Sequence, residues 1–87
     1  MANVGVLRIL EKKKMQDHEI AQVLRALADA REGRTFCPSE AARRLSDDWR
    51  PLMGDVRRVG AEIGLRATQK GAAVDALTAR GPIRFAK

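Results

Sequence analysis

The fold of this chain is narrowed most by a change of hydrophobic period at Gly64. Before it, apolar residues recur at helical spacing; after it, they alternate. Ile20, Val23, Leu24 and Leu27 fall at i, i+3, i+4 and i+7, one face of an amphipathic helix. Asp17 is a good N-cap for that stripe, Ala21, Ala26, Ala28 and Ala30 favour helix, and Gly33 suits its end, so a helix is predicted over 17–32. Pro38 fits a first helical position, Glu40 stands where a capping-box carboxylate would sit, and Ala41, Ala42 and Leu45 form an inner face, giving a short helix over 38–46. Leu52, Val56, Val59 and Ile63 make the third stripe, opened by Trp49-Arg50-Pro51 and closed by Gly64. Beyond that glycine, Leu65, Ala67 and Gln69 alternate with Arg66, Thr68 and Lys70, and Ile83 and Phe85 alternate with Arg84 and Ala86. That is a strand pattern on either side of a loop over 71–81, for which Val74 and Leu77 are candidate anchors.

Eighty-seven residues are room for one domain. The order helix, short element, helix, turn, helix, strand, loop, strand is that of a winged helix-turn-helix, an α+β fold of three helices followed by a C-terminal β-hairpin wing. Thr35 and Phe36, both β-favouring, suit a short strand between the first two helices. The domain is placed at 17–87. Residues 1–16 are read as an N-terminal extension, because Val4, Val6, Leu7, Ile9 and Leu10 fit either a short strand or a poor helix and Lys12, Lys13 and Lys14 suit a solvated face.

Charge points to the partner. The formal net charge is +6, and residues 65–87 alone carry five cations against one anion. A basic tip at one end of a domain favours a polyanionic partner. Aromatic residues are only 3% of the chain, too few for a platform on which single-stranded bases stack, which disfavours RNA as the partner. Cys37 is the single cysteine, so no internal disulfide forms within the chain, in keeping with a reducing cytoplasm. No apolar run approaches the ~20 residues needed to span a bilayer, and the lysine run follows the first apolar stretch instead of preceding it as in a secretory signal. No membrane partner is expected.

Enzyme chemistry lacks its inventory. One His and one Cys cannot build the usual zinc sites. No Gly-rich phosphate loop follows a strand, and no nucleophile has an evident base and orienting group. The neighbouring carboxylates Asp47 and Asp48 read as helix caps. The chain is therefore expected not to be an enzyme, to hold no metal or cofactor, and to show no evident small-molecule ligand.

On a wheel of ~100° per residue, the third helix turns Arg50, Gly54, Arg57, Arg58 and Ala61 away from its apolar stripe. Small residues let a helix approach a groove floor, and arginines reach phosphates or guanine edges. In a helix-turn-helix the second helix of the pair enters the major groove. The expected DNA interface is thus Arg57 and Arg58 in the groove with Arg50 helping, Arg43 and Arg44 of the second helix on phosphates, and Arg66, Lys70 and Arg84 of the wing on the backbone. Asp55 and Glu62 dilute the charge of the third helix, and Arg57 and Arg58 taken alone also fit an ordinary solvated face. Other residues have plain structural readings: Trp49 as core under the turn between the second and third helices, Cys37 as a small half-buried residue, Ser39 as a cap, His18 as surface, and Thr68-Gln69-Lys70-Gly71 as a strand end and turn.

Four segments occur in order: Phe36-Cys37-Pro38-Ser39-Glu40-Ala41-Ala42-Arg43, Trp49-Arg50-Pro51-Leu52-Met53 followed by Val56-Arg57, Thr68-Gln69-Lys70-Gly71, and Gly81-Pro82-Ile83-Arg84. Together, over residues 17–86, they resemble a small bacterial family defined only as a domain of unknown function. The resemblance implies a winged-helix fold and a bacterial cytoplasmic protein. It implies no activity, ligand or operator, so no functional residue is carried over from it. The chain departs from the family pattern where Leu65-Arg66 follows Gly64 directly, which bears on where the strand starts.

The leading expectation is a protein that binds double-stranded DNA, as a transcriptional regulator or nucleoid accessory. The alternative is a protein-interaction or dimerisation module with the same fold and no DNA contact, in which the first helix, residues 1–16 and Trp49 carry the interface. Fold alone does not decide between them.

Overall fold

The computed structural model describes residues 16–87, so all but the last residue of the expected N-terminal extension lies outside the described residues. Helix α1 spans Asp17–Arg31, α2 Pro38–Leu45, and α3 Met53–Glu62 behind a single 3-10 turn at Arg50–Leu52. Strands β1 (Arg66–Gln69), β2 (Ala72–Ala73) and β3 (Arg84–Ala86) form one antiparallel sheet in the order β2-β1-β3. This is an α+β winged helix, its last two helices forming the helix-turn-helix.

Helix boundaries fall close to expectation, with local differences. The N-cap of α1 is Gln16, not Asp17; its backbone N–H donates to the Glu19 carboxylate at 3.2 Å, and Asp17 becomes the first helical residue. The left-handed position that ends α1 is Glu32 (φ 51°), one residue ahead of Gly33. Pro38 does open α2, but Glu40 closes no capping box; its carboxylate pairs with Arg31 of α1 and joins the two helices. Asp47 and Asp48 cap nothing. They lie in the bend after α2, where the Asp48 N–H donates to Ser46 Oγ at 3.1 Å. Pro51 confines the opening of the third helix to a 3-10 turn, as a ring without an N–H allows.

The sheet has more strands than the two expected. β1 is central, pairing with β3 at Arg66↔Ala86, Ala67↔Phe85 and Thr68↔Arg84, and with β2 at Thr68↔Ala73 and Gln69↔Ala72. The β1–β2 connection is the two-residue turn Lys70-Gly71, both at positive φ (52° and 82°), the backbone that matches the twist of a tight hairpin. Phe36 adds a further rung: it exchanges two 2.8 Å backbone hydrogen bonds with Phe85, tying the α1–α2 linker to the wing.

The core lies between the helices and the sheet. Ile20, Leu24 and Leu27 of α1, Val56 and Val59 of α3, and Phe36, Ile83 and Phe85 are all buried. The rings of Phe36 and Phe85 are tilted with centroids 6.3 Å apart, a favourable aromatic arrangement. Trp49 is half-buried at the core's margin, and Val74 packs against it as expected. Leu77 does not anchor the long loop: it is 61% exposed, and the neighbouring Ala76 is buried in its place.

Candidate functional site

The cations expected to contact DNA fall into three surroundings. The first is the turn of the helix-turn-helix. Arg43 on α2 and Arg50 in the 3-10 turn each place the guanidinium carbon 4.7 Å from the centroid of the Trp49 ring. The α2–α3 turn brings them together, and Trp49 holds both by cation–π attraction. Trp49 is therefore not simple core: its half-exposed ring gathers charge at the surface. Arg44 is exposed beside Arg43.

The second is the outward face of α3, where the structure gives Arg57 and Arg58 internal partners. Arg58 Nη2 lies 2.8 Å from Asp17 Oδ1 and 3.3 Å from Asp55 Oδ1, and Nη1 reaches the Glu62 carboxylate at 3.3 Å. Hydrogen bonds that Arg58 donates to Asp17, then to Asp55, hold its proton more firmly than usual, and the same guanidinium keeps the Asp17 carboxyl below its ordinary 3.8. Three carboxylates around one cation form a locally acidic patch joining α3 to the start of α1. Arg57 turns the other way, toward the wing: Nη1 donates to the Ala79 carbonyl at 3.0 Å and Nη2 to the Gly81 carbonyl at 2.5 Å. The exposed positions of α3 are the small Gly54 and Ala61 and the carboxylates Asp55 and Glu62.

The third is the wing. Arg84 donates from Nε to Thr35 Oγ1 at 2.8 Å and from Nη2 to the Thr35 carbonyl at 3.1 Å. Arg66 donates from Nε to the Lys87 carbonyl at 3.0 Å. Lys70 is exposed at the tip of the tight turn. Gln69, in the inward phase of β1, sends its side-chain amide to the Arg80 carbonyl and to the Pro82 carbonyl, the latter at 3.2 Å. Carbonyls 79 and 81 thus belong to Arg57 and carbonyls 80 and 82 to Gln69, so a segment without regular structure is held at four successive residues.

Arg80 sits in the middle of that segment, exposed, and lines one cleft with Lys70 and Arg84. Sequence reasoning noted Arg80 only as a flank of the loop and missed the work of Gln69, although a polar residue in the apolar phase of a strand was the available signal. Cys37 is half-buried, with Sγ 3.0 Å from Ser39 Oγ, so Ser39 engages the thiol and makes no cap contact. His18 is exposed, as expected.

Ion pairing separates these surroundings. Among the described residues, ion pairs join Arg31 to Glu40, Arg58 to its three carboxylates, and Lys87 to Asp29. None involves the Trp49 arginines, Arg44, Arg57, or the wing cations Arg66, Lys70, Arg80 and Arg84. Arg57 and Arg84 donate to neutral oxygens, which orient a guanidinium without cancelling its charge. No group of His, Cys, Asp and Glu among the described residues could hold a metal ion, and no described helix is long and apolar enough to cross a membrane.

A family model described as a protein of unknown function, DUF3253, matches residues 16–87. No curated protein matches the chain.

Proposed function

The chain belongs to the DUF3253 family of proteins of unknown function, and from that premise we propose that it binds double-stranded DNA through its helix-turn-helix and wing. The observation that carries this reading is the set of unpaired cations. The arginines of the α2–α3 turn and the cations of the wing are exposed or half-buried and join no ion pair among the described residues, although Asp47 and Asp48 in the turn and Asp75 in the wing loop are exposed near them. Uncompensated, partly oriented cations are what a phosphate backbone recognises, and most protein–DNA hydrogen bonds go to that backbone.

The roles differ from those expected of an isolated α3. Arg43, Arg44 and Arg50 on one side, and Lys70, Arg80, Arg84 and Arg66 on the other, are the proposed phosphate contacts. Arg57 acts as a brace between α3 and the wing, and Arg58 as a clamp to α1; either would have to give up its present partners to touch a base. The small Gly54 and Ala61 support close approach of α3 to a groove. Backbone contacts dominate such an interface, so binding depends weakly on sequence, which suits a nucleoid accessory better than a regulator of one operator.

Amide NMR with a short random-sequence duplex tests the reading. Shifts over 43–54 and on the wing over 66–71 and 80–84 support it. Shifts on α1 and around Leu77 with a protein partner, and none with DNA, would favour the docking-module alternative.

A further inference from the structure

The cleft on the wing has a makeup that DNA binding alone does not require. It is an open cleft of about 650 Å³, within the usual range for small-molecule sites. Three cations line it, Lys70 from the tight turn, Arg80 from the clamped segment and Arg84 from β3, and no carboxylate does. Exposed Pro82 gives it an apolar edge, and Thr68 adds a hydroxyl. We infer that this cleft is a phosphate-binding site, with Lys70, Arg80 and Arg84 as the ligand-contacting residues and Arg57 and Gln69 as positioning residues for Arg80.

The chemistry follows from the donors. A guanidinium offers five N–H groups in a planar fork that fits phosphate oxygens in pairs. Thr35 engages only two of the Arg84 nitrogens, leaving further donors of that fork for a ligand. The Lys70 ammonium is a compact charge suited to a remaining oxygen. Three positive groups match a dianionic or more highly charged group better than a single carboxylate. Preorganisation is built in, because the backbone on both sides of Arg80 is held by Arg57 and Gln69, so little of it must be ordered when an anion arrives.

The phosphate has two sources to separate, a nucleic-acid backbone or a soluble phosphate monoester; the cleft uses three of the cations that the DNA reading assigns to phosphates, but it can be filled without DNA. The test is a titration of the full chain with pyrophosphate, followed by amide NMR, against sodium chloride at equal ionic strength. The expected result is saturable shifts confined to residues 68–71 and 80–84. Arg80→Ala should weaken pyrophosphate by about tenfold or more with an unchanged Tm, whereas Arg44→Ala should not weaken it. Arg57→Ala should weaken it less than Arg80→Ala and increase amide exchange over 79–82. Displacement by a DNA duplex assigns the group to the nucleic-acid backbone; displacement by AMP and not by DNA assigns it to a soluble monoester. Saturation of the cleft in a chain that ignores DNA would sink the DNA reading and leave the cleft. Shifts scattered over every basic residue without saturation, or an unchanged affinity in Arg80→Ala, overturn the inference, even if DNA binds elsewhere on the domain.

Discussion

Gly60 faces the ring of Phe85 so closely that a side-chain carbon at position 60 would overlap two of the ring atoms. Phe85 is fully buried and fixed to Phe36 by paired backbone hydrogen bonds, so the ring has nowhere to go. The absence of a side chain at one helical residue lets α3 lie directly on Phe85 of β3, and this contact sets the wing against α3.

Two glycines on the same helix should therefore respond oppositely to alanine. Gly54→Ala meets open space, so helix propensity alone applies and stability should rise by roughly 0.5–1 kcal/mol. Gly60→Ala carries the same propensity gain but overpacks the ring, with an expected net loss of about 1–3 kcal/mol. Urea denaturation of both variants measures the difference. In Gly60→Ala/Phe85→Leu the two losses should fall short of additive, because the smaller side chain relieves the overlap.

Acid should weaken the junction between α1 and α3. Arg58 holds Asp17 below its usual carboxylate range by hydrogen bonding and charge. A depressed folded-state value means that the stabilisation is fully present above the unfolded value near 3.8 and is lost as pH falls through the lower, folded one. Thermal melts from pH 6 downward should show a steeper decline below about pH 4 for the wild type than for Asp17→Asn. Both groups are solvent-exposed, so salt of about 0.5 M should shrink the difference.

Arg57→Ala should loosen the wing without unfolding the domain. It leaves the carbonyls of Ala79 and Gly81 without their donor, while Gln69 still holds those of Arg80 and Pro82. The expected cost is about 1–2 kcal/mol, because hydrogen bonds from a charged group exceed neutral ones but these are partly open to water. Hydrogen exchange should accelerate over 79–82 before it does in α1 or β1. Faster exchange across the whole domain would mean that Arg57 supports the core and not the segment.

Trp49 provides an optical reading of the opposite side of the proposed interface. Since Arg43 and Arg50 both lie against its ring, DNA that recruits either arginine should change Trp49 fluorescence. Arg43→Ala and Arg50→Ala should each weaken binding, reduce the steepness of its salt dependence by about one phosphate contact, and leave Tm nearly unchanged.

Much of the architecture was legible because it rests on local pattern. The stripes of α1 and α3, Pro38 at the start of α2, and the Lys70-Gly71 turn each declare themselves within a few residues. β2 did not, because Ala72-Ala73 has no alternation to read and is defined only by its pairing with β1. Ala76 rather than Leu77 anchors the loop because the path of the backbone, not side-chain size, decides which residue turns inward. The candidate site was legible as charge but not as geometry. Arg57 and Arg58 are adjacent, and a helical wheel gives both an outward direction. The partners of Arg57 lie 22 and 24 residues ahead; of those of Arg58, Asp55 and Glu62 lie within one turn on the same helix, but Asp17 lies 41 residues behind. Periodicity on one helix carries no information at that separation.

The most direct measurement of DNA binding is the affinity of the full chain for a random-sequence duplex as a function of salt. The seven phosphate contacts proposed for the α2–α3 turn and the wing predict a slope of log K against log[salt] of about −6. Arg44→Ala and Arg84→Ala should each make it shallower by about one, and Arg58→Ala should leave it unchanged. No binding at low salt, or a slope that changes only with Arg58→Ala, would contradict an interface built on the unpaired cations of the turn and the wing.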